Sequence, residues 1–169
     1  MSFTYNSWII ILTLIAISEP TATVLIGIFC ELAKNTQHAD KIYSEVRDIS
    51  IRDVKLLATL PHLEAVIAES LRLYPALPTG GNRKTPDHGI VIGGRYIPPQ
   101  TTVVAPRYSI SRSKFLTWVV KLDLTAFLGE DCFERANEFI PERWYLRPDM
   151  IHNKSAFAPF GTGKAFSFY

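Results

Sequence analysis

Glu69 and Arg72 stand three residues apart in Glu69-Ser70-Leu71-Arg72, a spacing that brings a carboxylate and a guanidinium together on one side of a helix. As an exposed pair they would contribute only about 0.2–0.5 kcal/mol, so the spacing alone is a weak signal. Two further motifs follow in order: Phe139-Ile140-Pro141-Glu142-Arg143-Trp144, with a third charged residue in Arg143, and the glycine-containing turn Ala158-Pro159-Phe160-Gly161-Thr162-Gly163. Between the first two lies a proline-rich stretch with Arg83 at its start. Cys30 and Cys132 are the only cysteines. One sits in an apolar helical stretch and the other in a polar segment, so they read as free thiols rather than a disulfide framework.

The elements that must carry these residues can be read from hydrophobic spacing. Asn6 or Ser7 caps a helix from about Trp8 to Lys34, disturbed at Pro20, whose ring removes a backbone donor. After the polar break Asn35 to His38, residues 39–46 are amphipathic, and a charged connector spans 47–55. Thr59 as cap, Pro61 in the first turn and Pro75 beyond the end bracket a helix over 61–74. Its residues Leu63, Val66, Ile67, Leu71 and Tyr74 share an apolar side, with Glu69 and Arg72 opposite. From 89 to 105 the period changes: Gly89 to Ile92 and Arg95 to Ile97 form a hairpin about Gly93-Gly94, and Thr101 to Ala105 add a short strand. From Pro106 to the end the chain is mostly irregular with short helices, residues 139–169 carrying the last two motifs, and no linker composition marks a second domain.

With 169 residues, 47% of them hydrophobic and 20% charged, the chain can form one globular unit with a moderate core. A net charge of +2 without a basic stripe excludes nucleic acid as a partner. The run from Trp8 to Ile17 is uncharged, but Glu19 and Pro20 interrupt what would have to be about 20 apolar residues in a simple span. The first basic residue is Lys34, so no positively charged leader precedes the run. Membrane association of residues 8–30 stays open.

Taken in order, the three motifs resemble the C-terminal part of the cytochrome P-450 family of haem-thiolate monooxygenases, and fungal members most closely. The resemblance covers Ile15 to Gly163 apart from Phe115 to Leu128, which match nothing in the family. It implies a mainly α fold with a small antiparallel sheet: a partial family domain of central helix, E-x-x-R helix, hairpin and haem-side loop. It implies a buried Glu69–Arg72–Arg143 cluster of structural rather than catalytic role. Arg83 is then a haem-propionate partner, since a guanidinium holds a carboxylate through two donors. Phe160 and Gly163 belong to the haem loop, and Leu77 and Thr79 to the substrate pocket. Glu19 takes the acid position of the oxygen groove with Thr21 as the nearest hydroxyl, a pairing suited to proton delivery. The implied cofactor is haem; the implied partners are molecular oxygen, a small hydrophobic substrate and an NADPH-dependent reductase. For intact relatives the implied location is the endoplasmic reticulum membrane, by an N-terminal anchor that these residues do not include.

Two departures qualify the expectation. In the pattern F-x-x-G-x-R-x-C-x-G, Ala165, Ser167 and Tyr169 replace arginine, the cysteine ligand and glycine. A serine hydroxyl is not ionised near neutral pH and is no substitute for the sulfur donor. The other departure is the apolar insertion Phe115 to Leu128. Both are expected to mark a truncated or mis-spliced form, inactive as given; the alternative is a non-catalytic or pseudogene product, or a membrane-associated fragment.

Overall fold

The computed structural model describes residues 3–92, 94–112 and 132–161, with the side chains of residues 3–12 and 15–17 outside the description. The first helix, α1 (Phe3–Lys34), begins before the expected Asn6 or Ser7 cap and runs through Pro20 as one element. A single proline removes one backbone donor, which weakens a long helix without ending it. Among the described residues no helix is long and apolar enough to cross a membrane, although most of the Trp8 to Ile17 run has undescribed side chains. The C-terminal turns of α1 pack on the rest of the chain. Gly27 is buried, and a Cβ there would lie 2.7 Å from the ring of Tyr74. The Tyr74 hydroxyl donates to Glu31, whose carboxylate also takes the Lys34 ammonium at 3.0 Å.

Helix α2 (Thr36–Val46) starts immediately after Asn35, so the polar break is shorter than the sequence suggests. The Asn35 amide donates back to the Glu31 carbonyl at 3.2 Å rather than capping α2. A single turn, α3 (Val54–Leu57), capped by Asp53, occupies the end of the charged connector. Helix α4 (Pro61–Leu73) carries the E-x-x-R residues and has Pro61 in its first turn. Thr59 does not cap it. The Thr59 hydroxyl donates to the Leu56 carbonyl at 2.7 Å, and the free N–H groups of His62 and Leu63 are instead bound at 2.9 Å each by the Glu45 carboxylate of α2. A carboxylate at a helix N-terminus satisfies orphan donors and complements the helix dipole, and here it comes from a neighbouring helix.

The orientation of α4 is also a correction. Its buried residues are His62, Ala65, Val66, Glu69, Ser70, Arg72 and Leu73, whereas Ile67, expected on the inner side, is 41% exposed. Glu69 and Arg72 are buried, as the resemblance implies, together with Val66, while Leu63, Leu71 and Tyr74 are half-buried.

After α4 the chain forms two antiparallel ribbons. β1 (Asn82–Lys84) pairs with β4 (Thr102–Val104), Arg83 opposite Val103; β2 (Ile90–Ile92) pairs with β3 (Arg95–Ile97) in the expected hairpin. The partner of the third strand was not apparent in the sequence. Buried Thr85 joins the ribbons, its hydroxyl donating to the Pro98 carbonyl at 2.6 Å and accepting from the Thr101 amide at 2.9 Å. Gly80 has φ +73°, and a Cβ there would lie 2.0 Å from the Ala105 carbonyl oxygen. A short helix, α5 (Arg107–Arg112), follows, and 3-10 turns occupy Pro141–Trp144, Pro148–Met150 and Lys154–Ala156. Their core is Cys132, Phe133 and Ala136 against Trp144, Ile151, Ala156 and Phe157, so Cys132 is a packing residue. Phe115 to Leu128 and Lys164 to Tyr169 lie outside the described residues.

Removing the inter-helix cap should loosen the start of α4. Glu45→Ala is expected to lower stability by about 1–2 kcal/mol, in the range of lost helix caps. Urea unfolding followed by circular dichroism measures it; an unchanged midpoint would show that water serves His62 and Leu63 equally well.

Candidate functional site

One carboxylate organises the interior. Glu69 Oε1 accepts from Arg72 Nη2 at 2.8 Å, Arg143 Nε at 3.0 Å and the Ile140 amide at 3.0 Å. Glu69 Oε2 accepts from Arg72 Nε and Trp144 Nε1, both at 2.9 Å. The Arg72 contact is therefore two-pronged, the geometry in which a guanidinium holds a carboxylate best. The relative exposures of Glu69, Arg72 and Arg143 are 0%, 2% and 0%.

Two cations and one anion leave a formal excess of positive charge inside the protein, and backbone carbonyls compensate it. Arg72 Nη1 donates to Ser111 and Ala136 at 2.8 and 2.6 Å, Arg72 Nη2 to Glu138 at 3.1 Å, and Arg143 Nη1 to Glu134 at 2.8 Å. Burial depresses the Arg143 guanidinium, with Glu69 opposing that effect. The Arg72 guanidinium also lies 5.1 Å from the centre of the Phe133 ring. In this way α4 is tied to α5 and to the Cys132–Trp144 segment at once.

Beside the cluster is a cavity of about 430 Å³ lined by Leu71, Pro75, Arg83, Arg107, Phe157 and Pro159 among others, with Arg72 in its wall. Arg83 reaches it from β1, its Nη1 donating to the Asn82 carbonyl at 2.9 Å. Arg107, which the sequence did not single out, donates to the Pro159 carbonyl at 2.6 Å. Its one signal was its place directly after Pro106, at the start of α5. The remaining expected site residues lie elsewhere. Leu77 and Thr79 are exposed and outside the lining, in the turn closed by the Gly80 amide on the Leu77 carbonyl at 3.0 Å. Phe160 is 72% exposed and its neighbours Pro159 and Gly161 line the cavity instead. Glu19 and Thr21 are exposed on α1. Gly163 and Ser167 fall outside the described residues.

A second buried polar group joins α2, α4 and the Pro141–Trp144 turn. His38 Nδ1 lies 3.2 Å from His62 Nε2 and 3.8 Å from Glu142 Oε1, and His62 Nδ1 lies 3.0 Å from the Tyr145 hydroxyl. Lys41 donates to Glu142 Oε1 at 2.7 Å. Burial pushes both imidazoles below their ordinary value, aided at His62 by the neighbouring His38. Burial raises Glu142, but its bond to Lys41, a backbone hydrogen bond and the nearby positive charges together outweigh that and leave the carboxyl below the usual range.

Comparison with known proteins decides the ancestry. The family model for Cytochrome P450 matches residues 8–116. The chain belongs to the cytochrome P450 family. It is 39% identical over 158 residues to the cytochrome P450 monooxygenase orf5 of Eupenicillium brefeldianum, covering 90% of this chain and 28% of that protein. Against the cytochrome P450 monooxygenase lcsK of Purpureocillium lilacinum, identity is 35% over 155 residues, covering 89% and 25%. Tryprostatin B 6-hydroxylase of Aspergillus fumigatus is 36% identical over 151 residues, covering 86% and 24%. The chain thus spans about a quarter of the length of these curated relatives. Helices with small antiparallel ribbons agree with a partial cytochrome P450 domain.

Haem is the cofactor that family membership implies. The cavity fits the edge of a porphyrin that carries carboxylates: Arg83 and Arg107 are suited to anionic groups, and Leu71, Pro75 and Phe157 offer apolar surface. No cysteine is in its lining among the described residues.

Two outcomes are expected from this geometry. Glu69→Ala, which strands two guanidinium groups in the interior, should cost about 3–5 kcal/mol, and Arg143→Lys should not restore the lost geometry because an ammonium lacks the planar fork. Chemical denaturation tests both. Stability should also fall with acid through the histidines. Their folded values lie below the unfolded value of about 6.5, so the unfolded chain binds protons first and the contribution, complete above that pH, is lost progressively below it. His62→Gln should flatten the decline between about pH 6.5 and 5; an equally steep decline in the variant would assign it to other groups.

Proposed function

We propose that this chain is the haem-contacting part of a monooxygenase that hydroxylates a small hydrophobic molecule, using molecular oxygen and electrons from a reductase, in fungal secondary metabolism. The observation that carries the reading is the apolar cavity with Arg83 and Arg107 in its lining, beside the buried Glu69 cluster. The relative named for 6-hydroxylation of tryprostatin B supports a hydroxylase rather than another oxygen chemistry. Haem, when bound, would supply oxygen activation at iron, which a thiolate donor promotes by pushing electron density to the metal.

The chain's own residues would bind and orient. Arg83 and Arg107 would hold the porphyrin carboxylates, while Leu71, Pro75 and Phe157 would shield its edge from water. Glu69, Arg72 and Arg143 would act through position alone, keeping α4 and the loop up to Gly161 at a fixed separation. Glu19 and Thr21 on α1 would supply the carboxyl and hydroxyl suited to proton delivery.

A second reading concerns the chain as written. The family match ends at residue 116, within the first two residues of the apolar Phe115 to Leu128 segment, and the haem-loop pattern fails after Gly163. These observations favour a parent transcript that lacks the Phe115 to Leu128 codons and reads past Gly163 into a cysteine-containing loop. A cDNA identical to the present sequence would overturn it.

Haem titration of the purified chain tests the cavity. Arg83→Ala should weaken binding roughly tenfold or more, as expected for loss of a charged hydrogen bond of about 1.5–3 kcal/mol; unchanged affinity would remove Arg83 from the site. Reduced under carbon monoxide, the haem-loaded chain should lack the absorbance specific to thiolate ligation, because Ser167 stands at the ligand position. Appearance of that band would identify a cysteine ligand elsewhere.

A further inference from the structure

The junction of His38, His62 and Glu142 lies outside the cavity and takes no part in the haem reading. Two imidazole nitrogens and a carboxylate oxygen from three different elements face one another there, all within 4.8 Å. We infer that this junction is a zinc-binding site that pins α2 and α4 to the Pro141–Trp144 turn beside the Glu69 cluster.

The donor set and spacing are those of a borderline-soft divalent ion. Imidazole with carboxylate suits Zn²⁺, and in a tetrahedral site with bonds near 2.0–2.1 Å the ligand atoms stand about 3.3 Å apart. Here His38 Nδ1 is 3.2 Å from His62 Nε2 and 3.8 Å from Glu142 Oε1, and all three ligand atoms lie within 4.8 Å of one another, so closure requires the carboxylate to move in toward the two rings. The fourth position is left to water.

The surroundings prepare the ligands. Tyr145 lies 3.0 Å from His62 Nδ1. When that nitrogen carries the proton and donates to the hydroxyl, Nε2 is left as a bare lone pair aimed at His38, the arrangement that zinc-ligating histidines obtain from a partner on their other nitrogen. Both rings are held neutral by burial, the form that binds metal. Glu45 fixes the backbone of His62 from α2, so two ligand-bearing helices are already locked together. Lys41 already places a cation on Glu142 Oε1 at 2.7 Å, which shows that the pocket accommodates positive charge and also names the competitor that zinc must displace.

The opposing account of the same distances is a single proton shared between the two rings, with Lys41 as the permanent partner of Glu142. The two accounts differ in what Lys41 does. The test uses the full 169-residue chain, stripped with chelator and titrated with Zn²⁺, with Mg²⁺ as control, following the thermal midpoint; Co²⁺ serves as a spectroscopic substitute. Zinc should raise the midpoint and magnesium should not, and Co²⁺ should give the visible bands of tetrahedral nitrogen and oxygen ligation. Tyr145→Phe should weaken zinc binding roughly 10- to 100-fold, as loss of an outer partner does. Lys41→Met, which leaves every ligand in place, should tighten it. Glu142→Gln should abolish the Co²⁺ bands. No zinc-dependent shift in either the native chain or Lys41→Met would overturn the proposal, as would Co²⁺ bands that persist in Glu142→Gln or that show sulfur ligation by Cys30 or Cys132.

Discussion

A carboxylate with no access to water must have its charge answered by neighbours, and the fold around Glu69 is arranged to do this. Five donors from α4, the Ile140 amide, Arg143 and Trp144 converge on its two oxygens. The two guanidiniums in turn need acceptors, and the backbone carbonyls of Ser111, Glu134, Ala136 and Glu138 turn inward to supply them. Such a group contributes less to net stability than its bonds suggest, because removing three charges from water is costly. Its effect is on geometry. Any arrangement that separates α4 from the Phe139–Trp144 loop leaves a buried charge unpaired, and that penalty selects one mutual position of the two.

The cavity depends on that position. One wall comes from the end of α4 and the start of β1, another from α5 and a third from Phe157 to Gly161. These segments are far apart in sequence; the Arg72 bond to Ser111 joins the first two directly, and the Arg107 bond to the Pro159 carbonyl joins the second and third. The close approach at Gly80 adds a steric constraint, since its φ of +73° and its contact with Ala105 exclude a side chain just where β1 begins. The place of Arg83 in the cavity wall is thus set by backbone packing as much as by the arginine itself.

The His38–His62–Glu142 junction sits on the other side of the same loop. Glu142 and Arg143 are adjacent, one turned toward α2 and the other toward Glu69. The 3-10 turn Pro141–Trp144 can present successive side chains in different directions because its three-residue period places neighbours well apart around the axis. Two polar junctions with different chemistry therefore share one short element.

Much of the fold could be read from residues alone. Pro61 and the spacing within α4, the Gly93-Gly94 hairpin and the order of the three motifs were all present as local patterns, and the pairing of Glu69 with Arg72 follows from helical geometry. The motifs in sequence also identified the family. Apolar spacing alone placed Ile67 on the buried face of α4; the burial of Glu69 and Arg72, which the family resemblance implied, depends on partners 39 to 75 residues away. The cap of α4 was hidden for the same reason: Glu45 belongs to another helix. Beyond its place after Pro106, Arg107 carried no local signal, and the paired histidines carried none, since a lone charge or ring acquires meaning only through what folds against it. The sequence determined the elements, their order and the ancestry. Tertiary structure decided which charges are buried, which arginines share a cavity and which rings meet, because each of those depends on long-range contacts that no local period encodes.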